Sequence, residues 1–134
     1  MSRVLVDSNV LIDVVGKETE WYRWSFDQLH ALSQTSVLVI NPIIYAEVSV
    51  TFRDIEALER ALPRVEIRRE ALPWDAAFLA GKAFTRYRRA GGTRRAPFPD
   101  FYIGAHATVK RMRLLTRDGR LYREYFPGLD VIAP

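Results

Sequence analysis

Short blocks of consecutive apolar residues alternate along this chain with longer stretches in which apolar side chains recur every three or four positions. Val4 to Val6 is the first block and Val37 to Ile40 the second. Neither is interrupted by polar residues, the pattern of strands covered on both faces in a parallel sheet. Val65 to Arg68, Leu114 to Thr116 and Asp130 to Ile132 read as three further strands. Trp21 to Ser33 reads as a helix. Asn41-Pro42 opens another, with Asn as cap and Pro in the first turn, running to about Arg53. Ile55 to Leu62 continues helically after a turn. Trp74 to Ala90 is a long helix ended by Gly91-Gly92. Pro97 and Pro99 frame a loop, and Asp100 to Met112 forms one more helix. Strands alternating with helices predict an α/β fold with a parallel sheet, right-handed crossovers and helices on both faces. The functional crevice of such a sheet lies at the carboxyl ends of its strands.

The 134 residues are expected to form one domain, 1–134. No apolar run approaches the roughly 20 residues of a membrane helix. The first apolar run is short and bracketed by Asp7 and Asp13, unlike a secretory leader. There is no cysteine, which removes disulfides, thiolate metal sites and thiol nucleophiles. A cytoplasmic protein with no membrane partner is the expectation. The formal charge of +4 permits a polyanionic partner without requiring one. Its distribution says more: Arg86, Arg88, Arg89, Arg94 and Arg95 fall within ten residues.

Asp7, Glu47, Asp100 and Asp118 stand at unusual places, although each has a structural explanation. Asp7 suits an Asx-turn, or a cap on the next helix, with Ser8 and Asn9. Glu47 lies in an apolar helical stripe with Ile43, Ile44 and Val48, and pairs with an arginine if it sits at the stripe's edge. Asp100 starts a helix, where the dipole favours an acid. Asp118-Gly119 is a common turn. Together these explanations weaken, because all four residues can converge on one edge of the sheet. Carboxylates so gathered repel one another unless a cation lies among them. Oxygen ligands alone favour Mg²⁺ or Mn²⁺. Such a site suits metal-assisted phosphodiester hydrolysis.

Four motifs then carry a family resemblance: VLVDSNVLID, NPIIYAE, PDFYIGAHA and LLTRDGRLYREYFPGLDVIAP. In order and spacing they resemble PIN-domain ribonucleases, most of all the VapC-type toxins of bacterial toxin–antitoxin pairs, from Val4 to Pro134. The resemblance implies a three-layer α/β/α sandwich with a parallel five-stranded sheet. It implies endonucleolytic cleavage of RNA, often structured RNA such as tRNA or rRNA. Asp7, Glu47, Asp100 and Asp118 would be the acidic quartet around Mg²⁺ or Mn²⁺, with Asn9 and Thr116 orienting them. Asp7 and Asp100 are the candidates for direct ligands. Glu47 or Asp118 would hold a second ion or position water, and one ion or two both fit. The arginine-rich stretch is more basic than the motif requires.

That stretch reads either as a solvated helix end or as an RNA contact. Arginine forks suit phosphate, and Tyr87, Phe98 and Tyr102 are placed to stack on unpaired bases. Gly91-Gly92 would let it flex over a substrate. His106, on the helix of Asp100, reads as structural rather than as an acid or base. The helix EWYRWSFDQLHAL has an apolar sector wider than one covered face needs. Most of it is core, and Trp21, Tyr22 and Trp24 are expected to contribute to a partner surface. The resemblance supplies the occupant, a cognate antitoxin, and implies toxin homodimers. The competing expectations are a PIN-like module that binds RNA or protein without turnover, another Mg²⁺-using α/β protein, and a nuclease for DNA. The sequence Asp7-Ser8-Asn9 lacks the DxD loop of a phosphatase.

Overall fold

Val4, Leu5 and Val6 are wholly shielded from solvent, because the strand they form is the middle one of five. The computed structural model describes residues 2–16 and 19–134. In chain order its elements are β1 (Arg3–Val6), α1 (Ser8–Gly16), α2 (Tyr22–Thr35), β2 (Val37–Ile40), α3 (Pro42–Ser49) and α4 (Ile55–Ala61). They continue with β3 (Ile67–Arg69), α5 (Trp74–Arg89), α6 (Pro99–Val109), β4 (Arg113–Leu115), α7 (Arg120–Tyr125) and β5 (Val131–Ile132). The sheet order is β3-β2-β1-β4-β5, and every pair is parallel. A parallel sheet buried at its centre needs helices on both faces, which is the expected α/β/α sandwich. Register pairs Leu5 with Val39 on one side and with Leu114 on the other.

Local chemistry sets the boundaries. Asn41 Oδ1 accepts the Ile44 amide at 2.9 Å, and Pro42 fills the first turn of α3. Asp54 caps α4 through the Ala57 amide at 2.8 Å. That cap needs extended backbone, so α3 stops at Ser49 instead of running to Arg53. Gly91, at φ 97°, closes α5. Arg111, at φ 55°, turns the chain from α6 into β4, so α6 ends at Val109 and not Met112. β3 begins at Ile67, two residues beyond the expected start, where it pairs with Leu38.

Two helices were not expected. α1 is buried on several sides, at Val10, Leu11, Asp13 and Val14, so its apolar residues show no clear helical period. α7 has only six residues, too few for a periodic signal. No helix among the described residues is long and apolar enough to cross a membrane.

Candidate active site

Strand order reverses beside β1, and the crevice at the carboxyl ends of β1 and β4 lies at this switch point. Asp7 follows β1 directly, and its amide bonds the Leu115 carbonyl at 2.9 Å, extending the ladder. The Asp7 side chain is 3% exposed. Its Oδ1 accepts the Ser8 amide at 2.7 Å. Its Oδ2 accepts the hydroxyls of Thr116 at 2.8 Å and Tyr122 at 2.9 Å. Burial raises the Asp7 pKa, and these donors oppose the rise. Burial and the neighbouring carboxylates push the Tyr122 phenol well above its ordinary value, so it stays a donor.

The Ser8 hydroxyl donates to Glu47 Oε1 at 2.8 Å, linking α1 to α3. Glu47 is half-buried, and its pKa is raised by burial and by the charge of Asp7. Asp100, in the first turn of α6, is pushed up to about 6 by burial and then by the charges of Asp7 and Glu47. Asp118 differs. Arg120 grips it at 3.0 and 2.8 Å, and these hydrogen bonds hold its carboxyl down at about 2. Thr116 accepts the Asn9 side-chain amide and the Asp118 main-chain amide, each at 3.2 Å, while donating to Asp7. Asn9 Oδ1 in turn accepts the Arg117 amide at 3.0 Å. Asn9 and Thr116 therefore brace the acid edge.

At one edge the charge of Asp7 thus reaches Glu47, and the charges of both reach Asp100. Among the described residues, no three acids or histidines are drawn together as a ready-made metal-holding group. Asp7 and Glu47 are held by hydroxyls and Asp118 by a guanidinium. The oxygen-only donors and the mutual repulsion raising Asp100 nevertheless fit a hard divalent cation, which would relieve that repulsion.

Ser8, Tyr122, Arg117 and Arg120 were not singled out by sequence. Tyr122 had one faint signal, its position four residues after Asp118. His106 is fully buried, and its Nδ1 lies 2.9 Å from Asn41 Nδ2, so it is a structural link between α6 and the cap of α3.

The arginine stretch is more ordered than a flexible flap. Arg88 Nη1 donates to the Arg94 carbonyl at 2.7 Å, and Arg94 lies over the Phe98 ring at 4.6 Å. Arg86 donates to the Tyr125 carbonyl. Arg89 and Arg95 are exposed. Gly92 lies so close to the Tyr87 ring that a methyl group there would overlap it. On α2, Tyr22 lines a groove of about 580 Å³ together with Val14, Phe26, Leu29, Arg60 and Arg64. Trp21 and Trp24 do not line it; they are half-buried and pack edge to face at 6.4 Å.

A family model, the PIN domain, matches residues 4–127. No curated protein matches by sequence. Among solved structures, a chain of the promoter-DNA-bound VapBC2 complex from Rickettsia felis is similar with a TM-score of 0.72 and 19% identity, covering 98% of each chain. A chain of a toxin–antitoxin complex from Klebsiella pneumoniae gives a TM-score of 0.68 and 23% identity, over 96% of this chain and 95% of that one. VapC20 of Mycobacterium tuberculosis, a Sarcin–Ricin loop cleaving toxin, gives a TM-score of 0.64 and 16% identity, over 90% and 94%. With the family model spanning nearly the whole chain and the parallel sheet presenting its acids at the switch point, the chain belongs to the PIN-domain family.

Proposed function

We propose that this protein is a metal-dependent endoribonuclease and the toxin of a toxin–antitoxin pair, acting in the cytoplasm on RNA, with structured RNA such as tRNA or rRNA as the substrate class. One observation carries the reading: at the carboxyl edge of the sheet the charge of Asp7, which follows β1, adds to burial in raising Glu47 of α3, and the charges of Asp7 and Glu47 add to burial in raising Asp100 of α6. Asp7 and Asp100 would hold Mg²⁺ or Mn²⁺, with Glu47 and Asp118 completing the quartet. When bound, such an ion supplies water activation and neutralises charge developing on the phosphate. The chain's own residues do the positioning. Thr116 and Tyr122 fix the Asp7 carboxylate, Ser8 fixes Glu47, and Asn9 fixes Thr116. Arg86, Arg88, Arg89, Arg94 and Arg95 would bind substrate phosphates on the approach to Asp100.

The groove beside Tyr22 supports an antitoxin partner: it is apolar, with Arg60 and Arg64 to receive acidic side chains. A homodimeric toxin, and a larger complex with antitoxin, belong to the same proposal. Two structural neighbours are described as toxin–antitoxin or VapBC complexes and a third as an RNA-loop-cleaving toxin, which supports the same class here.

A PIN module without turnover is the second reading, favoured by Arg120's hold on Asp118. Cleavage of total RNA by purified, antitoxin-free protein separates the two. Under the nuclease reading, Mg²⁺ or Mn²⁺ yields discrete fragments, and EDTA and Asp7→Asn each abolish them. Equal inertness of wild type and Asp7→Asn, with RNA still bound, supports the silent module. Equal cutting by both would show that Asp7 is not in the machinery.

A further inference from the structure

Helix α5 carries aromatic rings on two sides: Phe84 and Tyr87 pack inward against Phe101, and two more point outward. Ala76, Ala80 and Ala83 are fully buried. On the opposite side Trp74 is 92% exposed and Phe78 68% exposed. The core already takes Phe84 and Tyr87 from this helix, so the two outer rings are surplus to it and mark a surface with another use. At helical spacing the same face continues through Lys82, Thr85 and Arg89, all exposed. Lys82 Nζ lies 5.1 Å from the centre of the Phe78 ring. The stripe from Trp74 to Arg89 is about 22 Å long at 1.5 Å per residue. Its charge is one-sided: α5 carries Lys82, Arg86, Arg88 and Arg89 against the single acid Asp75.

The two ends of the stripe differ. The acid edge is marked by Asp100, in the first turn of α6. The basic end adjoins it, because Tyr87 packs against Phe98 at 5.7 Å and against Phe101, the neighbour of Asp100, at 5.6 Å. Exposed rings followed by cations, leading to a cluster of acids, match the two faces of a single-stranded polynucleotide. Bases stack on rings without regard to sequence, and phosphates pair with cations. We infer that the outer face of α5 is a track for unpaired RNA, with Trp74 and Phe78 as base-stacking platforms and Lys82 and Arg89 as phosphate contacts. This rests on the ribonuclease reading and adds where the strand flanking the cut runs. A second copy of the chain is a poorer fit, since pairing this face would bury Lys82 and Arg89 with Asp75 as the single acid of the helix to offset them.

The test is fluorescence anisotropy in EDTA with labelled single-stranded RNA of about 16 and about 4 nucleotides, the range of common single-strand sites. Wild type should bind the longer probe more tightly. Trp74→Ala/Phe78→Ala should bind it about tenfold more weakly and lose most of the length dependence. Fully duplex RNA of the longer length, whose bases are already stacked, should lose much less. Trp74 emission should fall on binding of the longer probe to wild type. Unchanged affinity of the double variant overturns the track. So does a fall from dimer to monomer in light scattering with RNA affinity retained, which would make this face an interface between copies. If wild type cuts RNA in an Asp7-dependent way while the double variant binds normally, only the track fails. If wild type neither binds nor cuts RNA, the function proposed above fails and the track with it.

Discussion

Thr116 donates its hydroxyl proton to Asp7 Oδ2 over 2.8 Å, joining the end of β4 to the end of β1 across 109 residues of sequence. The bond stabilises a buried charge, so its worth depends on Asp7 being ionised. Thr116→Val removes the donor without removing bulk and leaves Tyr122 as the one hydroxyl on Oδ2. The expected cost is about 1–2 kcal/mol at neutral pH, smaller in acid where Asp7 is protonated. RNA cleavage should fall about tenfold or more, and Thr116→Ser should restore both. Urea denaturation at two pH values beside single-turnover cleavage checks this; a loss that Thr116→Ser fails to rescue would point to packing instead.

Asp100 gives a pH dependence of definite sign. Its folded pKa, about 6, lies above the ordinary 3.8. Between those values the folded protein holds a proton that the unfolded chain has released, so stability falls as pH rises through this window. Asp100→Asn stays neutral and escapes the fall. In EDTA at neutral pH it should be more stable than wild type by about 1–2 kcal/mol, a figure reduced from the full shift because the side chain is not wholly buried. Thermal melts check it. Added Mn²⁺ should raise the midpoint of wild type and have little effect on Asp100→Asn. A variant less stable than wild type in EDTA would show that Asp100 is not under electrostatic strain.

Asp7 and Glu47 stood out because a local rule is bent there, an acid ending an apolar strand and an acid in an apolar stripe; Asp100 and Asp118 sit where acids are ordinary, at a helix start and in an Asp-Gly turn, and stood out only beside the other two. The strand blocks and the long α5 were legible from period alone. What supports the acids was less so. Ser8 looked like a turn residue, yet its hydroxyl reaches Glu47 from 39 positions away. Tyr122 lies on a helix too short to announce itself, and only the tertiary fold carries its hydroxyl to Asp7. Asp13 read merely as a charge bounding an apolar run, and it is fully buried. Sequence shows an acid among apolar neighbours but not its distant partner.

Arg120 answers for the behaviour of Asp118. The pair is exposed, so its loss should leave the melting temperature unchanged. It should free the fourth carboxylate and remove a positive charge from the acid edge. Arg120→Ala is therefore expected to bind Mn²⁺ about three- to tenfold more tightly, read by calorimetry or by the paramagnetic signal of free Mn²⁺. Weaker binding would mean that Arg120 orients Asp118 for the ion instead of competing with it.

Arg117 carries the largest stability effect expected outside the apolar core. Its Nε donates to Asp13 Oδ2 at 2.9 Å, and Asp13 is fully buried with two further donors, Ser25 Oγ at 2.7 Å and Thr19 Oγ1 at 3.1 Å. Arg117→Ala leaves a buried carboxylate without its counter-charge. The cost of such a deletion is about 3–5 kcal/mol for a wholly buried pair; Arg117 is one-third exposed, so about 2–3 kcal/mol is expected. Asp13→Asn in the same chain should recover part of that loss, because the amide is neutral and still accepts from Ser25. The segment at stake joins β4 to α7 and holds Thr116, Asp118 and Tyr122 on the acid edge, so Arg117→Ala should also weaken cleavage more than its fraction unfolded accounts for. Urea denaturation of the single and double variants, with cleavage measured where each is fully folded, checks both parts. A cost below about 0.5 kcal/mol would place the pair among surface ion pairs.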